Sequence, residues 1–383
     1  MSRDVRPDVF NTDKIWQRFI VDFTPKLVKE LCLKLIHEWN HLTVDDIKVV
    51  RFDSGTLNYV FKICTRITND LPIVVFRVFD YSLDIMIDRA KESEAFEIAG
   101  NLGVGPKQIV KFDKFSNRGG RIEEYISGRN LVYKEYTDMK VVCLFAKELA
   151  KFHSLMTPKL QHWSKEPKLV ECMKKWMEDS TKFPGYDTIY NEQELRSQVN
   201  EYLSVLTNKV STGRFAYNVM MCHNDIHLFN ILLHDDCDKL TLLDFEFAGF
   251  NYIGYDLCNF MCEACIDYVG TDVIPFLTVD SQMVYPPDLE QEMTKTYLRG
   301  MGVEFDDKFI QEFRRDVKFL EIGWWLARVF FNALLALHNK NEDRIQCLKI
   351  YSKLCHDTYK VRRQKAIDEG YWSSDVGAQG SEI

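Results

Sequence analysis

Residues 222–251 read CHNDIHLFNILLHDDCDKLTLLDFEFAGFN. Inside them, ILLH (231–234) and LTLLDF (240–245) are apolar runs on either side of the acidic stretch DDCDK (235–239), a pattern that predicts strand, turn, strand. Polar side chains gather at the outer ends of this hairpin: His223, Asn224, Asp225 and Asn230 ahead of it, Asp244 and Glu246 behind it. Asp and Asn beside strands commonly serve as turn and cap residues. Here they come in a fixed order, H-x-D-x-x-x-x-N, then the hairpin, then D-F-x, and that order has a chemical use. Phosphoryl transfer from ATP needs an acceptor hydroxyl held in line, a carboxylate that orients or takes its proton, and Mg²⁺ against the phosphate charge. Asp225 suits the carboxylate role, and Asn230 and Asp244 are hard oxygen ligands of the kind Mg²⁺ takes.

Upstream, IKVVRF (47–52), YVFKICTRI (59–67) and PIVVFRVF (72–79) predict three strands. LDIMIDRAKESEAFEIAGNLGVGP (83–106) predicts a helix stopped by Gly103, Gly105 and Pro106. KQIVKFDKF (107–115) and RIEEYI (121–126) predict a hairpin, with SGRN (127–130) as a link onward. From about Leu131 the pattern turns helical, as in the amphipathic KVVCLFAKELAKFHSL (140–155), and the hairpin at 231–245 is the exception. The fold class is therefore α+β, in a two-lobed protein-kinase-like arrangement. A β-rich nucleotide-binding lobe covers 1–128, a mostly helical catalytic and substrate lobe covers 129–372, and the polar tail 373–383 frays. Arg77, a cation inside VVFRVF, takes the phosphate-anchoring place of such a lobe, with Glu92 or Glu94 on the next helix as its ion-pair partner. The loop Asp53–Asn58, containing Ser54 and Gly55, can offer backbone N–H groups to phosphates.

With 383 residues and 46% hydrophobic content, the chain is long enough for two cores. A net charge of −8 argues against a nucleic-acid partner. No apolar stretch reaches the about 18–20 residues that span a bilayer, and the charged start MSRDVRPDVFNTDK lacks a signal-peptide core. Eleven scattered cysteines read as reduced thiols, which points to the cytoplasm. Cys258, Cys262 and Cys265 have a spacing that could hold part of an iron–sulfur cluster, but among Leu257, Phe260 and Met261 they read as small hydrophobes.

Over roughly residues 45–365 the chain resembles the choline/ethanolamine kinase family. That family joins HNDxxxxN to [IL]DFEYxxxNYxxxDxxNxxxE, and the matching stretches here are CHNDIHLFN and LLDFEFAGFNYIGYDLCNFMCE. MIDRAKES, GVGPK and RIEEYISGR also have counterparts, the first resembling the ethanolamine-specific branch. The resemblance implies ATP-dependent phosphorylation of choline or ethanolamine, with Mg²⁺, at the entry to phospholipid synthesis, by a protein often dimeric. It makes Asp225 the base, Asn230 and Asp244 metal ligands with Glu246 assisting, and Arg77 with Glu92 the phosphate anchor. It also gives Glu124, Ile126, Arg129, His227 and the loop residues Ser54, Gly55 and Asn58 to the nucleotide. Glu263, Tyr268, Trp324, Trp325, Phe331 and Tyr351 go to the amino-alcohol pocket.

The chain departs from the family at several points. Ser54 and Leu57 replace a glycine and a hydroxyl of the nucleotide loop, and His227 stands where many members have glutamine. In GWWLARVFFNALLALH (323–338), one register puts Arg328 and Phe331 where the family has a Trp-x-x-Trp pair facing the ammonium. A guanidinium beside a substrate ammonium costs more, about 3 kcal/mol at ~5 Å, than one aromatic wall contributes, about 0.5–2 kcal/mol. Arg328 is therefore expected to turn away from Glu263, towards Glu321, unless Trp324 and Trp325 supply the wall in a shifted register or the acceptor is not a simple cation. An aminoglycoside-type phosphotransferase and an inert pseudokinase are the alternative readings.

Overall fold

The computed structural model describes residues 24–52, 58–67, 71–79, 84, 86–115, 118–182, 190–268, 271, 273–339 and 341–372. Ser54, Gly55 and the tail 373–383 lie outside them, as does the side chain of Asn58. Two compact units divide the chain: residues 1–130 with 231–246, and residues 131–230 with 247–383.

Among the described residues the first unit opens with helix α1 (Pro25–Leu35), capped by Thr24 and started by a proline whose missing N–H costs nothing there. Strands β1 (Ile47–Arg51), β2 (Asn58–Thr65), β3 (Val74–Phe79), β4 (Gln108–Phe115) and β5 (Arg118–Glu124) form one antiparallel sheet in the order β1-β2-β3-β5-β4. Every residue of β3 is buried, so both faces of the sheet are covered there. One face is apolar: Phe61, Ile63, Val74, Phe76, Val78 and Ile122 pack with Val28, Leu31, Cys32 and Trp39. The other face carries Arg77, Arg121 and Glu123, and helix α2 (Arg89–Asn101) brings Glu92 and Phe96 to it. Gly120 makes this pairing possible, because a Cβ there would sit 2.2 Å from the Arg77 carbonyl oxygen.

A second sheet of the first unit joins β6 (Gly128–Asn130), β8 (Ile231–His234) and β9 (Leu240–Leu242). The hairpin read from the sequence therefore exists, but the contacts group it with the first unit rather than with the helical lobe. The cause is β6: residues read as a link pair with β8, and Gly128 leaves room for the Leu233 carbonyl, 2.4 Å from where a Cβ would stand.

The second unit is mostly helical. It contains α3 (Met139–Met156), α4 (Lys168–Ser180), α5 (Glu192–Val210), α6 (Ile253–Glu263), α7 (Pro287–Gly300), α8 (Asp307–Leu337) and α9 (Glu342–Asp368). Two short ribbons accompany them: β7 (Val219–Cys222) with β10 (Gly249–Tyr252), and β11 (Ile266–Asp267) with β12 (Thr278–Val279). Helix α8 packs against α4, α6, α7 and α9. By length and composition it is apolar enough to cross a membrane, which the sequence reading did not expect of any stretch; 78% of its most apolar window is buried inside the protein, as in a core helix.

Candidate active site

In the first unit, Arg77 lies directly across from Arg121 of β5, and like charges at such a pair are unfavourable. Glu123, on the same face two residues further, resolves the conflict by bonding both: Arg77 Nη2 donates to Oε1 at 3.1 Å and Arg121 Nε to Oε2 at 2.7 Å. Arg121 Nη1 also pairs with Glu92, and its guanidinium lies 3.5 Å from the Phe96 ring centre. Burial disfavours both guanidinium charges, but Glu123, with Asp244 for Arg77 and Glu92 for Arg121, holds both pKa values above the ordinary. Burial likewise works against the Glu123 carboxylate, and the two arginines overcome it, holding its pKa below the usual range. The expected partner of Arg77 is thus corrected: neither Glu92 nor Glu94 but Glu123 and Asp244, whose Oδ2 is 3.4 Å from Nη1. Glu92 is engaged by Arg121 instead.

Asp244 follows β9 in a left-handed conformation, φ 64°, which for a non-glycine costs about 1–3 kcal/mol and recurs at functional sites. Its Oδ1 is buried with no hydrogen-bond partner among the described residues. A buried carboxylate oxygen left uncompensated is costly, and a divalent cation is a ligand that would compensate it. Glu246 differs: it is buried with Oε2 3.6 Å from Arg89 Nη1. Glu124 is exposed, its N–H donating to the Lys107 carbonyl at 2.9 Å and its carboxylate accepting from Lys107 N at 3.2 Å. Ile126 sits half-buried between β5 and β6, and Arg129 of β6 is exposed, its Nη1 donating to the Asn130 carbonyl.

In the second unit, residues 223–230 follow β7 as a loop held by α6. Asp256 accepts from His223 N at 2.7 Å and Asn224 N at 2.8 Å, and its Oδ2 is 3.0 Å from His153 Nε2. Asn259, one turn on, accepts from Ile226 N at 2.7 Å and donates to Ile226 O at 3.0 Å. Asn224, at φ 67°, donates through Nδ2 to the Phe247 and Gly249 carbonyls and accepts from Asn251 Nδ2 at 2.8 Å. The sequence reading gave no role to Asn224, Asn251, Asp256 or Asn259. A signal existed: Asp256 and Asn259 are polar residues three apart on a helix buried at every position, where a polar group needs a partner. In the same helix, Cys258 donates its thiol to the Tyr255 carbonyl.

This frame presents Asp225 among cations and donors. Oδ1 is 3.3 Å from Arg328 Nη2, and Oδ2 is 3.2 Å from Asn230 Nδ2 and 3.4 Å from His227 Nε2. Burial works against the charge, yet His227, Arg328 and His223 hold the Asp225 carboxyl well below the usual carboxylate range. His227 moves the other way: burial lowers its pKa, but Asp225 and Glu263 raise it above the ordinary. Asn230 donates to the Asp225 carbonyl and carboxylate, leaving its amide oxygen as the acceptor atom. Glu263, wholly buried at the end of α6, accepts from Tyr268 OH at 2.9 Å, and that hydroxyl is 3.5 Å from Tyr351 OH. Burial leaves the Glu263 pKa above the usual value despite Arg328 and His227.

Arg328 does not turn away. Its Nη2 lies 3.1 Å from Glu263 Oε1 as well as bonding Asp225, while Glu321 pairs with Arg362 at 3.0 Å. Two buried carboxylates at one place need a cation more than a carboxylate already matched by Arg362 does. The guanidinium is 4.7 Å from the Trp324 ring centre and 5.0 Å from that of Phe331. Trp325, fully buried, stacks edge-on against Trp324 with its Nε1 unpaired among the described residues.

A β-sheet unit with a buried strand cation and a helical unit presenting an H-x-D loop define the protein-kinase-like fold of small-molecule phosphotransferases. A choline kinase from Cryptosporidium parvum shares this fold, with a TM-score of 0.77 at 18% identity over 91% of this chain and 98% of its own. The profile of the choline/ethanolamine kinase family matches residues 49–355, and the chain belongs to that family. Among its relatives, a probable choline kinase 3 of Arabidopsis thaliana is 25% identical over 90% of this chain and 95% of its own length. A probable ethanolamine kinase from the same plant is 29% identical over 76% and 78%.

Proposed function

We propose that this protein transfers the γ-phosphoryl group of ATP to the hydroxyl of choline or ethanolamine. The observation that carries the reading is Asp225: a buried carboxylate kept ionised on a loop whose backbone is pinned by Asp256 and Asn259. A carboxylate so placed orients the acceptor hydroxyl and takes its proton as the phosphoryl group is transferred. Arg77, fixed by Glu123, is the phosphate anchor of the first unit, and Glu124, Ile126, Arg129 and His227 complete the nucleotide contacts. By the family resemblance, Asp244 of the first unit, through Oδ1, and Asn230 of the second, through its amide oxygen, are each a candidate oxygen ligand for Mg²⁺, which when bound would neutralise phosphate charge. Glu246, engaged by Arg89, is the assisting residue of that resemblance. Glu263, Tyr268, Tyr351, Trp324 and Phe331 line the acceptor side.

All eleven cysteines are free thiols, which supports a reducing, cytoplasmic setting. The product would feed phospholipid head-group synthesis, and a homodimer is the expected assembly. The purified protein with MgATP should consume ATP with choline or ethanolamine and not with aminoglycosides; the reverse order of acceptors would replace this reading. Asp244→Ala should abolish the Mg²⁺-dependent tightening of ATP binding seen by calorimetry, and an unchanged difference would place the metal on other residues.

A further inference from the structure

Carboxylates set among aromatic faces form the kind of cage that recognises organic cations. In the second unit, Asp225 and Glu263 supply the carboxylates, and Trp324 and Phe331 the faces. The chain fills that cage partly by itself. A single nitrogen of Arg328 bonds both carboxylates, and the guanidinium lies over both rings. With His227 neutral, two carboxylates and one guanidinium leave one negative charge, so a further monocation is electrically acceptable. The faces of Trp324 and Phe331 that the guanidinium covers are no longer free.

The two kinds of ammonium differ in what they need. A quaternary ammonium has no N–H and is held by ring faces and unscreened charge. A primary ammonium has three N–H donors and is held by directional bonds to oxygens. Oxygens are what this site retains: Glu263 Oε2 with the phenolic oxygens of Tyr268 and Tyr351.

We infer that Arg328 is a specificity-determining residue that selects primary-amine alcohols and excludes trimethylammonium alcohols by occupying the aromatic faces such a group requires. The inference rests on the amino-alcohol kinase reading above and narrows it. A further titratable group whose charge acts on Arg328 is His227, on the loop beside Asp225.

The test is a methylation series: ethanolamine, its N-methyl and N,N-dimethyl derivatives and choline, each with MgATP, in the wild-type protein and in Arg328→Met. Wild-type kcat/KM should fall along the series, with choline at least about tenfold below ethanolamine and most of the loss in KM. Arg328→Met, verified as folded by circular dichroism, should close most of that gap by uncovering the rings. Choline used as well as ethanolamine by the wild type overturns the inference, as does a folded Arg328→Met that keeps the wild-type ratio. If Arg328→Met does not fold, Arg328→Gln is used, and if neither folds the wild-type series decides alone. Turnover with none of the four acceptors removes the kinase reading and this inference with it, a result distinct from a choline-preferring enzyme.

Discussion

In the first unit two guanidinium groups, Arg77 and Arg121, are divided among Glu123, Glu92 and Asp244; in the second, one guanidinium, Arg328, is divided between Asp225 and Glu263. Both clusters are buried, and both place arginine against a ring: Phe96 in one, Trp324 and Phe331 in the other. Their settings differ. Arg77, Arg121 and Glu123 project from paired strands, so their spacing is set by the ladder and Glu92 closes the group from a helix. Asp225 sits on a loop, and its cluster holds its arginine between that loop carboxylate and Glu263 at the end of α6. One cluster has its geometry set by the strand ladder; the other has it set by the hydrogen bonds that hold a loop against a helix.

This contrast can be broken at four points. Glu123→Ala removes the group that reconciles two facing arginines and should cost about 3–5 kcal/mol, read from urea unfolding. A loss below about 1 kcal/mol would mean the sheet cluster is no more structural than a surface pair. Asp225→Asn should lower turnover about 10²-fold or more, equivalent to about 2.7 kcal/mol of barrier, while ATP binding survives. A folded variant with near-parental rates removes Asp225 from the base role.

Glu263→Gln should leave the fold intact, because Arg328 keeps Asp225, and should raise the amino-alcohol KM by about tenfold, near 1.4 kcal/mol. An unchanged KM would show that the acceptor cation is held elsewhere; an unfolded variant would make the two clusters alike. The smallest effect concerns His227. Because Asp225 raises its folded-state pKa, protonated His227 contributes stability that is complete below the unfolded value of about 6.5 and is lost as pH rises through the folded value. His227→Gln should remove a slope of about 1 kcal/mol or less from stability measured between mildly acidic and alkaline pH. An identical slope in the variant would assign it to another group.

The order Asp225, Asn230, Asp244 stood out in the sequence because each proposed role asks for a residue type at a fixed distance along the chain. The strands and long helices were legible from periodicity. The partner of Arg77 was not, since it depends on which strand lies beside β3, and β5 is reached only through a helix and a hairpin. Arg328 was misjudged for a different reason. Pairwise energies weighed it against an absent substrate, whereas in the protein two buried carboxylates already require a cation. Strand β6, Gly128–Asn130, was not legible because three residues are too few to show alternation.

Strand β6 carries one more implication. Its hydrogen-bonding neighbour β8 lies about a hundred positions further along, beyond most of the first half of the helical unit. The first unit is consequently not a contiguous stretch of chain. A fragment ending at residue 130 would present β6 as a bare edge, without Asp244, and an unpaired edge invites association with other chains. During synthesis that sheet must wait for the hairpin at 231–246, and closing so long a loop is the kind of step that slows folding. The first unit should therefore complete its fold late, after residues 131–230 of the helical unit have been made.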